Sequence, residues 1–341
     1  MKYFIYTFII IFVCGCCHKK DSTEIYHISR NNVVDVSKYV NEIEFDEPII
    51  SGNNRLFLIN NLLMILDAKA DDKQLHIFDK KSLKYVNSIV ELGIAPHEVT
   101  TIGHVAYDKS RNSILVTDHS QLKILSYNLD SALSCQNYTP KLKISLKEKI
   151  FPDEYIHLAD TLCIGKMIIP DGNNTFNQTI AKWNMCNGQI ADFGYKHPKI
   201  DKLRVGFDVS DKLNKYVLAH HYNDLITICS LNGNLVHNIY GPNWEEEIKK
   251  GEKQLYYWGK VKFLKDKIIG SYSGEKYNTR DYRPNKLVVF DSNGNYIVTL
   301  NIGYNINDFC YDEDNGRLLF SFDDEIQFGY IDLKSINEIE L

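Results

Sequence analysis

The feature that most constrains this chain is a recurring strand–turn–strand unit. Short β-branched and aromatic runs alternate with clusters of Asn, Asp and Gly, the pattern of strands joined by tight turns. In each unit one strand ends in a turn and the next often closes on glycine. Clear copies are Leu75 to Asp79 followed by Tyr85 to Gly93, and Ile180 to Asn184 followed by Gln189 to Gly194. Two more carry an Asn-Gly turn: Ile226 to Cys229 with Asn232-Gly233, and Leu287 to Asp291 with Asn293-Gly294. Asn-Gly between two strands is a strong hairpin signal. Weaker copies lie at Leu122 to Leu129 and Gln327 to Leu333.

The copies recur at about 40 to 60 residues, the period of a four-stranded propeller blade with variable loops. The pattern predicts an all-β fold, a six-bladed β-propeller of four-stranded antiparallel blades occupying residues 25–341. Blades are expected to start near Arg55, Gly103, Tyr155, Phe207, Gly259 and Ile306. The strand-like Ile43 to Ile50 is expected to complete the last blade and close the ring, which removes exposed sheet edges. A pair of β-sandwiches is the competing architecture. Glu245 to Lys250 is the one helix-like stretch.

The net charge of −5 has no basic run behind it, so there is no footprint for nucleic acid. No stretch after the N-terminus reaches the ~18 apolar residues that span a bilayer. At the N-terminus, Lys2 precedes an apolar run from Tyr3 to Val13, which is signal-peptide length. The run ends in Val13-Cys14-Gly15-Cys16. This resembles the lipobox of bacterial lipoproteins, with Gly15 at cleavage and Cys16 as the acylated residue. The resemblance implies a signal peptide over 1–15, a lipidated Cys16 and a polar tether over 16–24. Cys17 fits the box less well, and an ordinary secretory signal is the alternative. Several acyl chains on one cysteine anchor firmly, since a single chain binds only marginally. The expected address is the cell envelope, lipid-anchored at the outer membrane, with the membrane as one partner.

Five cysteines remain in the body: Cys135, Cys163, Cys186, Cys229 and Cys310. No C-x-x-C pair among them marks a zinc site. Cys163 and Cys186 flank the turn-like Asp171 to Asn174 almost symmetrically. A hairpin there would set them opposite each other, and a disulfide would then depend on register. Two reduced buried cysteines are the alternative.

Gly93-Ile94-Ala95-Pro96-His97-Glu98 resembles the G-x-G-P-x-E loop of the TolB-like and NHL-like six-bladed propeller lipoproteins of Bacteroidota. Ala95 replaces the second glycine, and His97 stands at the variable position. With the lipobox and the strand repeat, the resemblance spans nearly the whole chain past the leader. It implies fold and address rather than an activity.

Loops between second and third strands, and loops between blades, are expected to share one face. Three constellations fall there. His97, Glu98, Asp118, His119, His220, His221 and Asp224 have the chemistry of metal ligands or acid–base groups, or form a solvated loop face. Adjacent His220 and His221 must point to opposite sides of a strand. Tyr272, Tyr277, Arg280, Tyr282 and Arg283, with Tyr256, Tyr257 and Trp258, offer flat rings and a guanidinium fork to a peptide or sugar. This group is the best single place for a ligand; a tyrosine-covered rim is its alternative. Asp67, Asp71, Asp72, Asp323, Asp324 and Glu325 are carboxylates without a D-x-D-x-D-G calcium loop. No G-x-S-x-G elbow, H-E-x-x-H pair or phosphate loop occurs, so no cofactor or metal is expected. The expected function is a binding module for a protein, peptide or glycan. The alternative is a metal-dependent, lactonase-like hydrolase using the central channel.

Overall fold

The computed structural model describes residues 23–52, 54–135, 137–146, 150–172, 175–245, 251–277, 279 and 282–336. The expected signal peptide, Cys16, the tether up to residue 22, Arg280 and most of the helix-like stretch at 245–250 lie outside these residues. Among the described residues no helix is long and apolar enough to cross a membrane.

Three short strands come first: β1 (Glu24–Tyr26), β2 (Val33–Asp35) and β3 (Asn41–Glu42). Blade 1 follows as β4 (Asn54–Ile59), β5 (Leu62–Asp67), β6 (Lys73–Asp79) and β7 (Tyr85–Glu91). Blade 2 is β8 (Ile102–Asp108), β9 (Ser113–Asp118), β10 (Lys123–Asn128) and β11 (Lys141–Ser145). Blade 3 is β12 (Phe151–Ala159), β13 (Leu162–Gly172), β14 (Thr175–Asn184) and β15 (Gln189–Asp192). Blade 4 is β16 (Val205–Ser210), β17 (Lys215–His220), β18 (Leu225–Ser230) and β19 (Leu235–Tyr240). Blade 5 is β20 (Leu255–Leu264), β21 (Lys267–Lys276), β22 (Lys286–Asp291) and β23 (Tyr296–Asn301). Blade 6 has β24 (Ile306–Asp312), β25 (Arg317–Phe322) and β26 (Phe328–Asp332) of its own.

The N-terminal segment completes the ring as a strap. β1 adds in parallel to the outer edge of blade 4 and β2 to that of blade 5. β3 pairs antiparallel with β26 as the fourth strand of blade 6. Closure by the N-terminal segment was expected, but from Ile43 to Ile50. The structure makes it with Asn41–Glu42, and the Ile43 N–H bonding to Phe328 O at 2.9 Å ends the pairing. Glu24, expected in the tether, already sits in β1.

The composition of the strands follows from the ring. Each blade is covered on both faces by its neighbours, so its middle strands are buried on both sides and read as near-continuous apolar runs rather than alternating ones. Leu62 to Asp67 are all buried. Leu62, Met64 and Leu66 pack toward blade 2, whereas Leu63 and Ile65 pack toward blade 6. The buried apolar side chains form six clusters, one at each seam. Removing one such side chain from water contributes about 1.5–3 kcal/mol.

The first strands of neighbouring blades approach one another around the central axis. They are not laddered together; side chains staple them. His104 meets Tyr155 O at 2.9 Å, Lys166 donates to Val205 O at 3.1 Å, Phe263 N donates to Asp208 at 2.8 Å and Leu56 N to Asp308 at 2.9 Å. Glycine allows the closest approach: a Cβ on Gly206 would stand 2.3 Å from Gly259 O.

The hairpin of β13 and β14 forms where expected, but its register sets Cys163 opposite Trp183. Cys186 lies in the turn beyond β14. Cys163 is buried and Cys186 exposed, and both thiols are free. The near-symmetry in sequence misses by three residues, which is enough to prevent the bridge.

Candidate functional site

The loops between second and third strands share one end of the ring with the loops between blades, as the antiparallel order within each blade requires. On that face, tyrosines of blades 4 and 5 form a wall. Tyr256 stacks near Tyr277 with centroids 6.3 Å apart, and Tyr282 meets Tyr277 edge-on at 5.4 Å. Tyr222 joins from blade 4, 5.7 Å from Tyr277, and His221 stacks on Tyr256 at 5.5 Å. All five rings are partly exposed. Tyr277 and Tyr282 therefore lie together as their shared loop predicts.

The wall borders the mouth of the central channel. A cavity of about 170 Å³ there is lined by His221 and Tyr256 from the wall and by Glu154, Lys166 and Lys260 from inner strands. Lys166 lies 3.2 Å from Asp153 and 3.3 Å from Glu154. Lys262 lies 3.5 Å from Asp208. Burial alone would raise the Glu154 carboxyl, but Lys260, Lys166 and Lys262 outweigh it and hold it well below its ordinary value. Burial would lower Lys166, and Asp153 and Glu154 reverse the shift. The channel thus carries interleaved fixed charges. Lys260 is not spent on an ion pair among the described residues. Burial keeps His221 neutral by lowering it to about 4, and its Nδ1 lies 2.6 Å from Trp258 O.

Other candidates go elsewhere. Trp258 is fully buried and Tyr272 packs against it edge-on at 4.8 Å, both in strands rather than loops. They form a slot for Arg30 of the strap, whose guanidinium lies 5.0 Å from the Trp258 ring and 5.3 Å from Tyr272. Arg30 pairs with buried Asp224 at 3.0 Å. Trp258 and Tyr272 thus pack in the seam around Arg30, Tyr272 partly exposed and Trp258 buried. Tyr257 is likewise buried. Arg283 pairs with Asp323 on the rim.

The histidine–carboxylate group is dispersed. His220 and His221 point to opposite sides, as strand geometry requires. His220 is buried toward blade 3, with Nε2 3.1 Å from Thr227 Oγ1. His119 is half-buried beside Gly103, with Nε2 3.0 Å from Pro152 O. Asp118 accepts the backbone N–H groups of Thr100, Thr101, Ser120 and Gln121, so it shapes the turn. Glu98 bends back to accept the Ala95 N–H at 2.8 Å. The carboxylate loops are also spent locally: Asp67 on Ser51 and Lys69, and Asp324 on Asn305 N.

Among the described residues, two groups bring three metal-ligand atoms within 4.8 Å: Glu91, His97 and Glu98, and Asp108, His157 and Asp160. The first spans the end of β7 and the loop after it, with Glu91 and His97 exposed. In the second, Arg111 and Lys143 already neutralise the carboxylates at 2.7–2.8 Å. Burial would raise Asp160, but hydrogen bonds from Lys143, His157 and Arg111 dominate and push it far down. This group stitches blade 2 to blade 3.

Sequence reading passed over Glu154, Lys166 and Lys260 as site residues. Glu154 follows directly on Asp153 and Lys166 is flanked by Gly165 and Met167, so neither shows a pattern. For Lys260 the signal is charge at alternate positions of its strand, Lys260-Val261-Lys262. Such charges face an axis rather than a seam.

Residues 16–146 match the family DUF5128, described as 6-bladed beta-propeller. No match was found among curated proteins. Solved structures that resemble the chain include a Bacteroides fragilis protein described as exported, at 14% identity and TM-score 0.56, covering 88% of each chain. A DUF4221 family member from Bacteroides vulgatus is 12% identical with TM-score 0.55, covering 86% of this chain and 94% of that one. A gluconolactonase of Xanthomonas campestris is 10% identical with TM-score 0.52, covering 82% and 84%. At these identities the likeness is one of fold. With six seams, six sheets and a strap that closes the last, this chain is a six-bladed β-propeller.

Proposed function

We propose that this chain is an exported, lipid-anchored binding protein of the cell envelope, and that its tyrosine wall and channel mouth receive a glycan or peptide. One observation carries the reading: Tyr256 and His221 belong both to the wall and to the charged cavity beside it. A ligand can therefore stack a ring or flat group on the tyrosines while a polar end reaches Lys260 and Glu154. Aromatic rings with hydroxyl tips suit such mixed ligands. The exported relative and the lipobox-like leader support the address.

The hydrolase reading requires carboxylates free to hold a divalent ion. Here Asp153, Glu154 and Asp208 face Lys166 and Lys262, which favours binding over metal chemistry. The test is a glycan and peptide screen of the protein beside its Tyr277→Ala and Tyr282→Ala variants. A central aromatic contact is worth about 2 kcal/mol, so each variant is expected to weaken a hit about thirtyfold. Hits that bind both variants at full strength would remove the wall from the site. A tight, stoichiometric divalent ion in the channel would move the reading to the hydrolase.

A further inference from the structure

A second cavity, of about 370 Å³, lies in the seam between blades 3 and 4 beside the loop at 193–203. It is distinct from the channel mouth and does not depend on the function proposed for it. Its size falls at the small end of pockets that hold organic ligands. The floor is apolar, from Ile169, Ile180, Ile190 and Leu218. At the mouth Lys196 pairs with Asp192, so these two charges cancel. His220 lines the cavity and is 3% exposed.

A chain of hydrogen bonds from the strap fixes what His220 offers. The Glu24 carboxylate only accepts. The Asn238 group facing it at 3.1 Å is therefore the NH₂, and Asn238 Oδ1 is left as an acceptor. Thr227 donates its hydroxyl proton to that oxygen at 2.9 Å. The Thr227 oxygen then accepts from His220 Nε2–H at 3.1 Å. His220 is thereby set as the Nε2–H tautomer, and its Nδ1 is a bare acceptor without a partner among the described residues. Burial also keeps the ring neutral, lowering it to about 3. Asp201, the remaining charge of the lining, is solvent-exposed. Against the apolar floor, one buried, oriented acceptor selects for a donor on an apolar body.

We propose that this seam cavity is a binding site for an uncharged amphipathic small molecule, an aromatic or aliphatic body carrying one hydroxyl or N–H that donates to His220 Nδ1. The probes are 4-propylphenol and 4-propylanisole, nearly the same shape, of which only the phenol donates. Calorimetry on the intact protein is expected to show the phenol binding about tenfold tighter, the worth of one hydrogen bond of about 1.4 kcal/mol. His220→Phe should abolish that preference. Ile200→Trp, which intrudes on the cavity, should weaken both probes, and Tyr277→Ala should change neither. Should His220→Phe fail to fold, the imidazole ¹⁵N spectrum of the wild type serves instead. Its Nδ1 resonance is expected at an unprotonated position and moves on adding 4-propylphenol. Absence of binding, equal binding of the two probes, a preference that survives His220→Phe, or an unmoved Nδ1 resonance overturns the proposal.

Discussion

Arg30 shows how much one residue carries in this ring. It reaches from the strap into the slot of Trp258, Tyr272 and Phe290 and neutralises Asp224, whose side chain is fully buried. Tyr272 and the Asn243 N–H also bond to that carboxylate, at 3.3 and 3.2 Å. Arg30→Ala leaves a buried charge without its cation and is expected to cost about 3–5 kcal/mol. Urea denaturation checks this, and a loss below 1 kcal/mol would show that Asp224 is satisfied without Arg30. The double variant with Asp224→Asn should recover part of the loss, because it removes the stranded charge. Neither role was visible in sequence. Arg30 sits in a short polar segment, and Trp258 with Tyr272 has the composition of a ligand rim. Only the strap's path turns that aromatic pair into a clamp.

Elements were more legible than residues. Blades expected near Arg55, Gly103, Phe207 and Ile306 begin within two residues of those positions. The other two, β12 and β20, begin four residues earlier than expected. Both are lengthened strands whose register shifts, at Pro152/Glu154 and between Tyr256 and Val261. A bulge breaks the alternation that sequence reading follows. The same bulges sit at the channel mouth, where Glu154 and Tyr256 are displayed. β1 and β2 were illegible because three residues of parallel edge strand carry no periodicity. Where first strands meet, Gly206 stands against Gly259 O, and Gly206→Ala must push two backbones apart. Overpacking of this kind costs about 1–3 kcal/mol. Thermal unfolding is expected to show that loss, and an unchanged midpoint would mean the inner strands slide freely.

For the whole molecule, pH is the natural probe. Burial lowers His104 and His220 to about 3 and His221 to about 4, against an ordinary 6.5. Above that ordinary value the folded and unfolded chains both hold these rings neutral, and their contribution is complete. Below it the unfolded chain takes up protons that the fold refuses, so stability falls with pH until the folded values are reached. Each ring contributes a slope of up to about 1.4 kcal/mol per pH unit. Urea midpoints between pH 8 and pH 4.5 should decline below about 6.5, and less steeply in His104→Gln. A flat profile would mean that these rings stay hydrated.

The strap also has a chronology. His27 rests on Gly294, 267 residues further along the chain, and β3 pairs with the last strand of the last blade. The strap, made before the blades, therefore has no strand partner until blade 4 exists. During synthesis three blades precede any partner of the strap; β1 can add to blade 4 and β2 to blade 5 as each is made, and only β3 waits for blade 6. The ring becomes a ring only when β3, made before every blade, pairs with the last of them.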